Sequence, residues 1–251
     1  MTTSTIAPTS RPGAIPKSHP LDAYLVRFNL WQRTEHFLVM TVFTLLVVTG
    51  MPQKYSTAGF SAAVVHLFGG ITATRNVHRV AGFVFAFLMA LHLGLVIWKT
   101  ATKRFELLTM VPDQKDFRDA LQTLRYYVGL EKAHARFDRF DYRQKFEYWG
   151  MLAGSLIMVL TGLVLYFPAL VARLLPGQLI PVAKVAHSNE GLLATLVIIV
   201  WHIYNAHLNP DVFPFDPSIF TGKISRERME KEHPLELERR EEAGRAHPPE
   251  R

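Results

Sequence analysis

The sequence predicts an all-α fold, an integral membrane four-helix bundle with a cytoplasmic amphipathic helix and mobile termini. Three observations lead there. Four stretches, at about residues 35–53, 76–98, 147–172 and 185–208, are apolar and long enough, at about 1.5 Å rise per residue, to cross a hydrocarbon core of about 30 Å. Hydrophobic residues make up 49% of the 251, with a positive mean hydropathy, as expected for a few spans with polar ends. Of the 28 Lys and Arg, 4 lie in the N-terminal segment, 11 in the central loop and 8 in the tail, leaving 5 in the two short connections. Basic residues stay on the cytoplasmic side of spans, so both termini are expected in the cytoplasm of a bacterial-type inner membrane. The +7 formal charge follows from this asymmetry and calls for no nucleic acid.

Residues 1–30 form a cytoplasmic N-terminal segment, of which 1–20 are Pro/Ser/Thr-rich without an apolar h-region and read as a disordered lead rather than a signal peptide. The membrane domain then covers residues 31–210. Its first span, charge-free from Phe37 to Gln53, follows Arg27, Arg33, Glu35 and His36. Residues 55–74 are uncharged but have an apolar heart of only about a dozen residues, too short to cross; they predict a surface or re-entrant helix with His66 at the interface. The second span is Asn76–Trp98, in which His92 is the only titratable side chain after Val80. In the polar connection to Glu147, Phe117, Leu121, Leu124 and Val128 recur at helical spacing, which predicts an amphipathic helix on the membrane surface, while His134 reads as solvated. The third span carries no histidine but has Gly150, Gly154 and Gly162, small residues that let helices approach. Pro176, Gly177 and Pro181 precede the fourth span, which holds His187, His202 and, at its end, His207. The tail, residues 211–251, starts Pro/Phe-rich and becomes highly charged, with a mobile end expected.

The histidines carry the chemistry. His78 and His92 are 14 residues apart, within about 40° of one helix face and about 21 Å along the axis; His187 and His202, at 15 residues, return within about 60° at about 22 Å. The second and fourth spans run in the same direction, so His78 and His187 share an outer level while His92 and His202 share an inner one, joined by His36. No cysteine is present, which excludes disulfides, thiolate-held iron–sulfur clusters and CxxCH haem attachment. Facing imidazoles bind haem through two axial nitrogens, and about 21 Å leaves space for two macrocycles. Gly82 and Gly191, four residues after the outer histidines, leave room for a porphyrin edge; Arg75, Arg79 and Lys184 lie at the level of its propionates, or serve as interfacial anchors. A zinc or copper site needs three or four ligands at one level, and the outer level offers two. Rival readings are a histidine-based metal transporter or sensor and a cofactor-free membrane anchor.

The stretch NVHRVAGFVFAFLMALH resembles the second helix of quinol-oxidising cytochrome b, and AHSNEGLLATLVIIVWH has the corresponding spacing for its fourth helix. From about Tyr24 to His233, the inner His36, the segment RQKFEYWGMLAGSLIMVLTG and the ending HIYNAHLNP are similar to four-span dihaem cytochrome b subunits of the formate dehydrogenase gamma type. Both resemblances imply His78 with His187 for an outer haem b. For the inner one the first implies His92 with His202 and the second His36 with His202, and His207 is the ligand in reserve for a third haem. They further imply an electron-transfer subunit of a membrane oxidoreductase, set in membrane lipid. It would join the quinone pool, as substrate, to a separate redox subunit, an iron–sulfur protein or c-type cytochrome. By position, Glu35 beside His36, or Glu190 with Asn189, are candidate proton acceptors for quinone chemistry.

Overall fold

Residues 23–102, 107–210 and 212–246 are described by the computed structural model, and they are almost wholly helical. In chain order they form strand β1 (Tyr24–Val26), helices α1 (Leu30–Lys54), α2 (Gly59–Leu67) and α3 (Ile71–Ala101), a 3-10 turn (Leu107–Met110), and helices α4 (Gln114–Tyr127), α5 (Tyr142–Tyr166), α6 (Pro168–Leu174) and α7 (Leu179–Leu196). Helix α7 continues as two π-helical turns, Val197–His202 and Tyr204–Leu208; α8 (Ser218–Thr221), β2 (Lys223–Ser225), α9 (Arg226–Glu232) and α10 (Pro234–Ala246) follow. Four helices among the described residues, α1, α3, α5 and α7 with its extension, are long and apolar enough to span a membrane.

Each begins earlier than the sequence predicts, and at α1 and α5 polar residues ahead of the apolar run start the helix. Asn29 accepts from the Gln32 amide while the Gln32 side chain accepts from the Asn29 amide, and Asp141 with Gln144 repeats this capping box at α5. Two orphan N–H groups are thereby satisfied before the chain enters lipid, where unpaired backbone is costly. The third span ends earlier than expected, at Tyr166 rather than 172, because Pro168 has no N–H to continue the ladder and starts α6 instead. Residues 59–67 form only a short helix, turned into α3 through Gly69 and Gly70 at φ +84° and +105°.

The spans pack in a ring, α1 against α3, α3 against α5, α5 against α7 and α7 back against α1. Their outward side chains, such as Val80, Phe87, Ile97, Leu160 and Val200, are more than half exposed, as lipid-facing positions are. Helix α4 is inverted relative to a soluble helix. Phe117, Leu121 and Leu124 point out, while Asp116, Asp119 and Thr123 are buried and Lys145 donates to Asp116 at 2.7 Å. That is the face a surface-lying helix presents to lipid. His134, expected in solvent, instead packs between the rings of Tyr126, Tyr127 and Phe137, because the segment after α4 folds back onto it.

The charged tail is more ordered than its composition suggests. Strands β1 and β2 pair antiparallel with Leu25 opposite Ile224, and Ile224, Met229 and Leu237 form a small core capped by Leu25. Arg27, 4% exposed, bonds Glu236, 2% exposed, at 2.8 Å; Arg139 and Arg240 meet the same carboxylate. Paired in this way, the charges fold through Ala246; the expected mobile lead and tail end fall on residues 1–22 and 247–251, outside the described residues. Residues 23–29 and 212–246 gather at one end of the bundle, the basal end, and the opposite end is apical.

Candidate functional site: two histidine levels

At the apical level, His78 of α3 faces His187 of α7 across the bundle, ring centroids 6.3 Å apart. Each ring is held from behind by a threonine. Thr49 Oγ1 lies 2.6 Å from the Leu45 carbonyl and 2.9 Å from His78 Nδ1; Thr161 Oγ1 lies 2.6 Å from the Ile157 carbonyl and 3.0 Å from His187 Nδ1. A hydroxyl has one proton, and each threonine gives it to the carbonyl four residues back. It therefore accepts from Nδ1–H, which fixes the tautomer and leaves Nε2 with its lone pair on both rings. The residue after each threonine is glycine. A Cβ on Gly50 would meet His78 Cε1 at 3.0 Å and one on Gly162 would meet His187 Cε1 at 3.3 Å, so the rings lie where side chains would otherwise stand.

At the basal level the histidines sort into two groups. His202 Nδ1 donates to Glu147 at 2.5 Å, and its ring lies 6.1 Å from that of His36 at 32°. The His36 Nδ1 is buried without a hydrogen-bond partner. His92 stands elsewhere: its Nδ1 donates to Glu35 at 2.5 Å and its Nε2 accepts from the Tyr148 hydroxyl at 3.1 Å. His207 has turned to the tail, where its ring stacks on Phe215 at 4.7 Å and 8° and its Nδ1 accepts from the Asp216 amide at 3.4 Å. His36 and His202 are thus brought together, while His92 and His207 are occupied.

An internal repeat explains this arrangement. Helices α1 and α5 are each 25 residues long and align at an offset of 112 residues. Asn29 matches Asp141, Gln32 matches Gln144, Glu35 matches Glu147, Thr49 matches Thr161 and Gly50 matches Gly162. Likewise His78 matches His187 and His92 matches His202. The 14-residue step on α3 becomes 15 on α7, and the π-helical turn Val197–His202 takes up the added residue. A π turn closes i to i+5 bonds and holds about one residue more than an α turn, so His202 keeps the rotational phase that His92 has on α3. In each half, threonine and glycine hold the apical histidine and glutamate holds the basal one. The halves differ at one basal position, His36 in the first and Tyr148 in the second.

The residues present fit bis-histidine haem. A metal–nitrogen bond of about 2 Å, plus just over about 1 Å from nitrogen to ring centre, on both sides of one iron gives about 6 Å between centroids, as both facing pairs have. Among the described residues, no three His, Cys, Asp or Glu side chains converge as a zinc-type site requires. A Cβ on Gly82 would meet nothing within 4 Å, while one on Gly191 would make ordinary contact with Met158 at 3.5 Å. Arg75, Arg79 and Lys184 are exposed at the apical end, with the Arg79 guanidinium 5.7 Å over the Tyr166 ring. Asn189 accepts from Lys54 at 2.7 Å, and the Glu190 carboxylate lies where a Cβ on Gly154 would meet it at 2.5 Å. The glycines of the third span therefore serve polar side chains of α7 at Gly154 and Gly162. Sequence reasoning passed over Thr49, Thr161, Glu147 and Tyr148; the recurrence of a glutamate 14 residues before a Thr-Gly pair, once in each of two spans, is the signal that finds the first three.

No curated protein matches the chain. The family model for prokaryotic cytochrome b561 matches residues 27–212, which includes all four spans and both histidine levels. The chain therefore belongs to the prokaryotic cytochrome b561 family, b-type haem proteins that carry electrons across membranes.

Proposed function

We propose that this chain is the dihaem membrane subunit of a respiratory oxidoreductase, with one haem b between His78 and His187 and another between His36 and His202. It would join the quinone pool to a separate redox subunit, an iron–sulfur protein or c-type cytochrome. The observation that carries the reading is the pair of threonines that fix Nδ1–H on both apical imidazoles and so present Nε2 to a metal. Bound haem supplies the one-electron chemistry. The chain's own residues would orient it: Glu147 holds the His202 ring in place, Gly50 and Gly162 admit the apical rings, and Arg75, Arg79 and Lys184 would meet propionates. The gathering of basic residues at the basal end supports a cytoplasmic placement of both termini.

A haemochrome assay on the purified full chain is expected to give about two haems per chain, with b-type reduced-minus-oxidised bands. His78→Ala and His187→Ala should remove the same haem, His36→Ala and His202→Ala the other, and His92→Ala neither. Absence of haem sinks the proposal, and loss of the basal haem in His92→Ala but not in His36→Ala sinks its ligand assignment.

A further inference from the structure

The basal level holds a hydrogen-bonded cluster that the two haem sites leave unused. Glu35, His92 and Tyr148, from three different spans, form a line with contacts of 2.5 and 3.1 Å. Polar and ionisable groups within a span are expensive in lipid and mark sites of function. By the internal repeat this line is the counterpart of Glu147, His202 and His36, built on the same frame. A phenol stands where the other half has a second imidazole, so an O–H occupies the nitrogen that iron would take. The frame is left to recognise its ligand by hydrogen bonding.

The direction of the bonds says which ligand. Nδ1–H of His92 donates to the Glu35 carboxylate, so Nε2 accepts the Tyr148 proton, and the tyrosine oxygen keeps lone pairs for an incoming hydroxyl. The cluster is open at its side: the His92 and Glu35 side chains are 24% and 21% exposed, and Leu38, one helical turn from Glu35, and Leu91, next to His92, are 48% and 37% exposed. A ligand that arrives through lipid, offers a hydroxyl or carbonyl oxygen and exchanges protons is a quinol or quinone. Glu35 also precedes His36, so such a ring would lie next to the basal haem site.

We propose that Tyr148 binds one oxygen of a quinone headgroup and that His92, oriented by Glu35, takes or returns the proton through it. This rests on the quinone link proposed above. On oxidation of a quinol, the hydroxyl facing Tyr148 gives its proton to the tyrosine oxygen while the tyrosine proton moves to His92 Nε2. The second hydroxyl gives its proton to water at the membrane surface. Haems held by His36 with His202 and by His78 with His187 would accept the two electrons one at a time and pass them to the oxidised partner subunit, and quinone reduction would reverse each transfer. Tyr148 touches the substrate; His92 and Glu35 act through it.

The test uses the purified full chain carrying its haems, with Tyr148→Phe and His92→Gln variants and a short-chain quinol as reductant. Haem content, visible spectrum and reduction by dithionite are expected to match wild type, because neither residue holds haem. Haem reduction by the quinol is expected to slow about 100-fold in both variants, the size of effect general acid–base groups contribute, and a quinone analogue that shifts the basal haem band in wild type should lose that shift in Tyr148→Phe. Quinol reduction at the wild-type rate in both variants overturns this site while leaving the quinone link intact. Wild type that reacts with dithionite but not with quinol overturns the link itself, and loss of a haem in His92→Gln overturns the separation of His92 from the haem sites.

Discussion

The apical threonines offer the sharpest test of how the protein holds its cofactor. Thr49→Val and Thr161→Val keep shape almost unchanged and remove only the oxygen that His78 or His187 donates to. In Thr49→Val the side chain at a fully buried position loses its acceptor, and Nδ1–H of His78 is left unpaired, at a cost of about 1–3 kcal/mol. The same substitution frees the imidazole to rotate. Outer-shell partners of metal ligands are typically worth about 10–100-fold in affinity, or roughly 1.4–2.8 kcal/mol, which agrees with the hydrogen-bond figure. The facing rings at 6.3 Å make a stronger demand, because under the proposed pairing both substitutions act on one haem. Haem content after detergent washing, with redox titration of the two haems separately, reads this directly. One haem should be lost about 10-fold or more readily in either variant, with its potential raised by the weaker ligand, while the other stays unmoved. The double variant should fall short of the sum, since the two share a partner. Variants that weaken different haems, or neither, would refute the pairing of His78 with His187.

The glycines beside those threonines should rank by clearance: Gly50→Ala, with 3.0 Å to the His78 ring, is expected to lower apical haem occupancy more than Gly162→Ala, with 3.3 Å, and haemochrome titration distinguishes them. In the tail, burial and then the nearby Arg27 charge push the His233 imidazole down to about 4. The unfolded tail takes up that proton near 6.5 and the folded tail only near 4, so stability is complete above about 6.5 and falls by about 1.4 kcal/mol per unit below it, about 3 kcal/mol by pH 4. Hydrogen exchange of the Lys223–Ser225 amides, corrected for intrinsic rate, should follow that slope, and His233→Asn should flatten it. Burial raises the Glu236 carboxyl, but Arg27 and the neighbouring guanidiniums outweigh this and hold it below its ordinary value. Glu236→Ala strands Arg27 in a buried site, and limited proteolysis of residues 223–246 should report a loss of about 3–5 kcal/mol.

The spans were legible because lipid imposes a single demand, a long apolar run, that any sequence must meet. Their true starts were not, since capping at Asn29 and Asp141 depends on local hydrogen bonds outside those runs. The apical pair could be placed from depth and facing alone. The basal pair could not: His36 and His92 have equal depth, and only the side chains of Glu35 and Tyr148 separate them. The 15-residue step on the fourth span is one longer than that on the second, and only the structure shows the π-helical turn that puts His202 back in phase. The tail was unreadable for another reason. Its charges look solvated in a list of residues, and only the fold brings Arg27 to Glu236, 209 positions away.

The tail also touches the two helices that carry His36 and His202. The Arg27 and Phe28 amides donate to the Gly222 carbonyl at 2.8 and 3.2 Å, the Arg33 guanidinium reaches the Ile219 and Phe220 carbonyls, and Phe37 packs on Phe220 at 5.3 Å. Gly222, at φ +79°, admits this approach, because a Cβ there would meet the Phe28 oxygen at 2.6 Å. Lipid gives helices no reason to exclude apolar surface from one another, so the middle of the bundle lacks the force that holds soluble proteins together. The Ile224, Met229 and Leu237 core stands in water, where that force is available. The protein thus fastens α1 to the end of α7 from outside the membrane, and solvent at the rim does work that the bilayer cannot do at the centre.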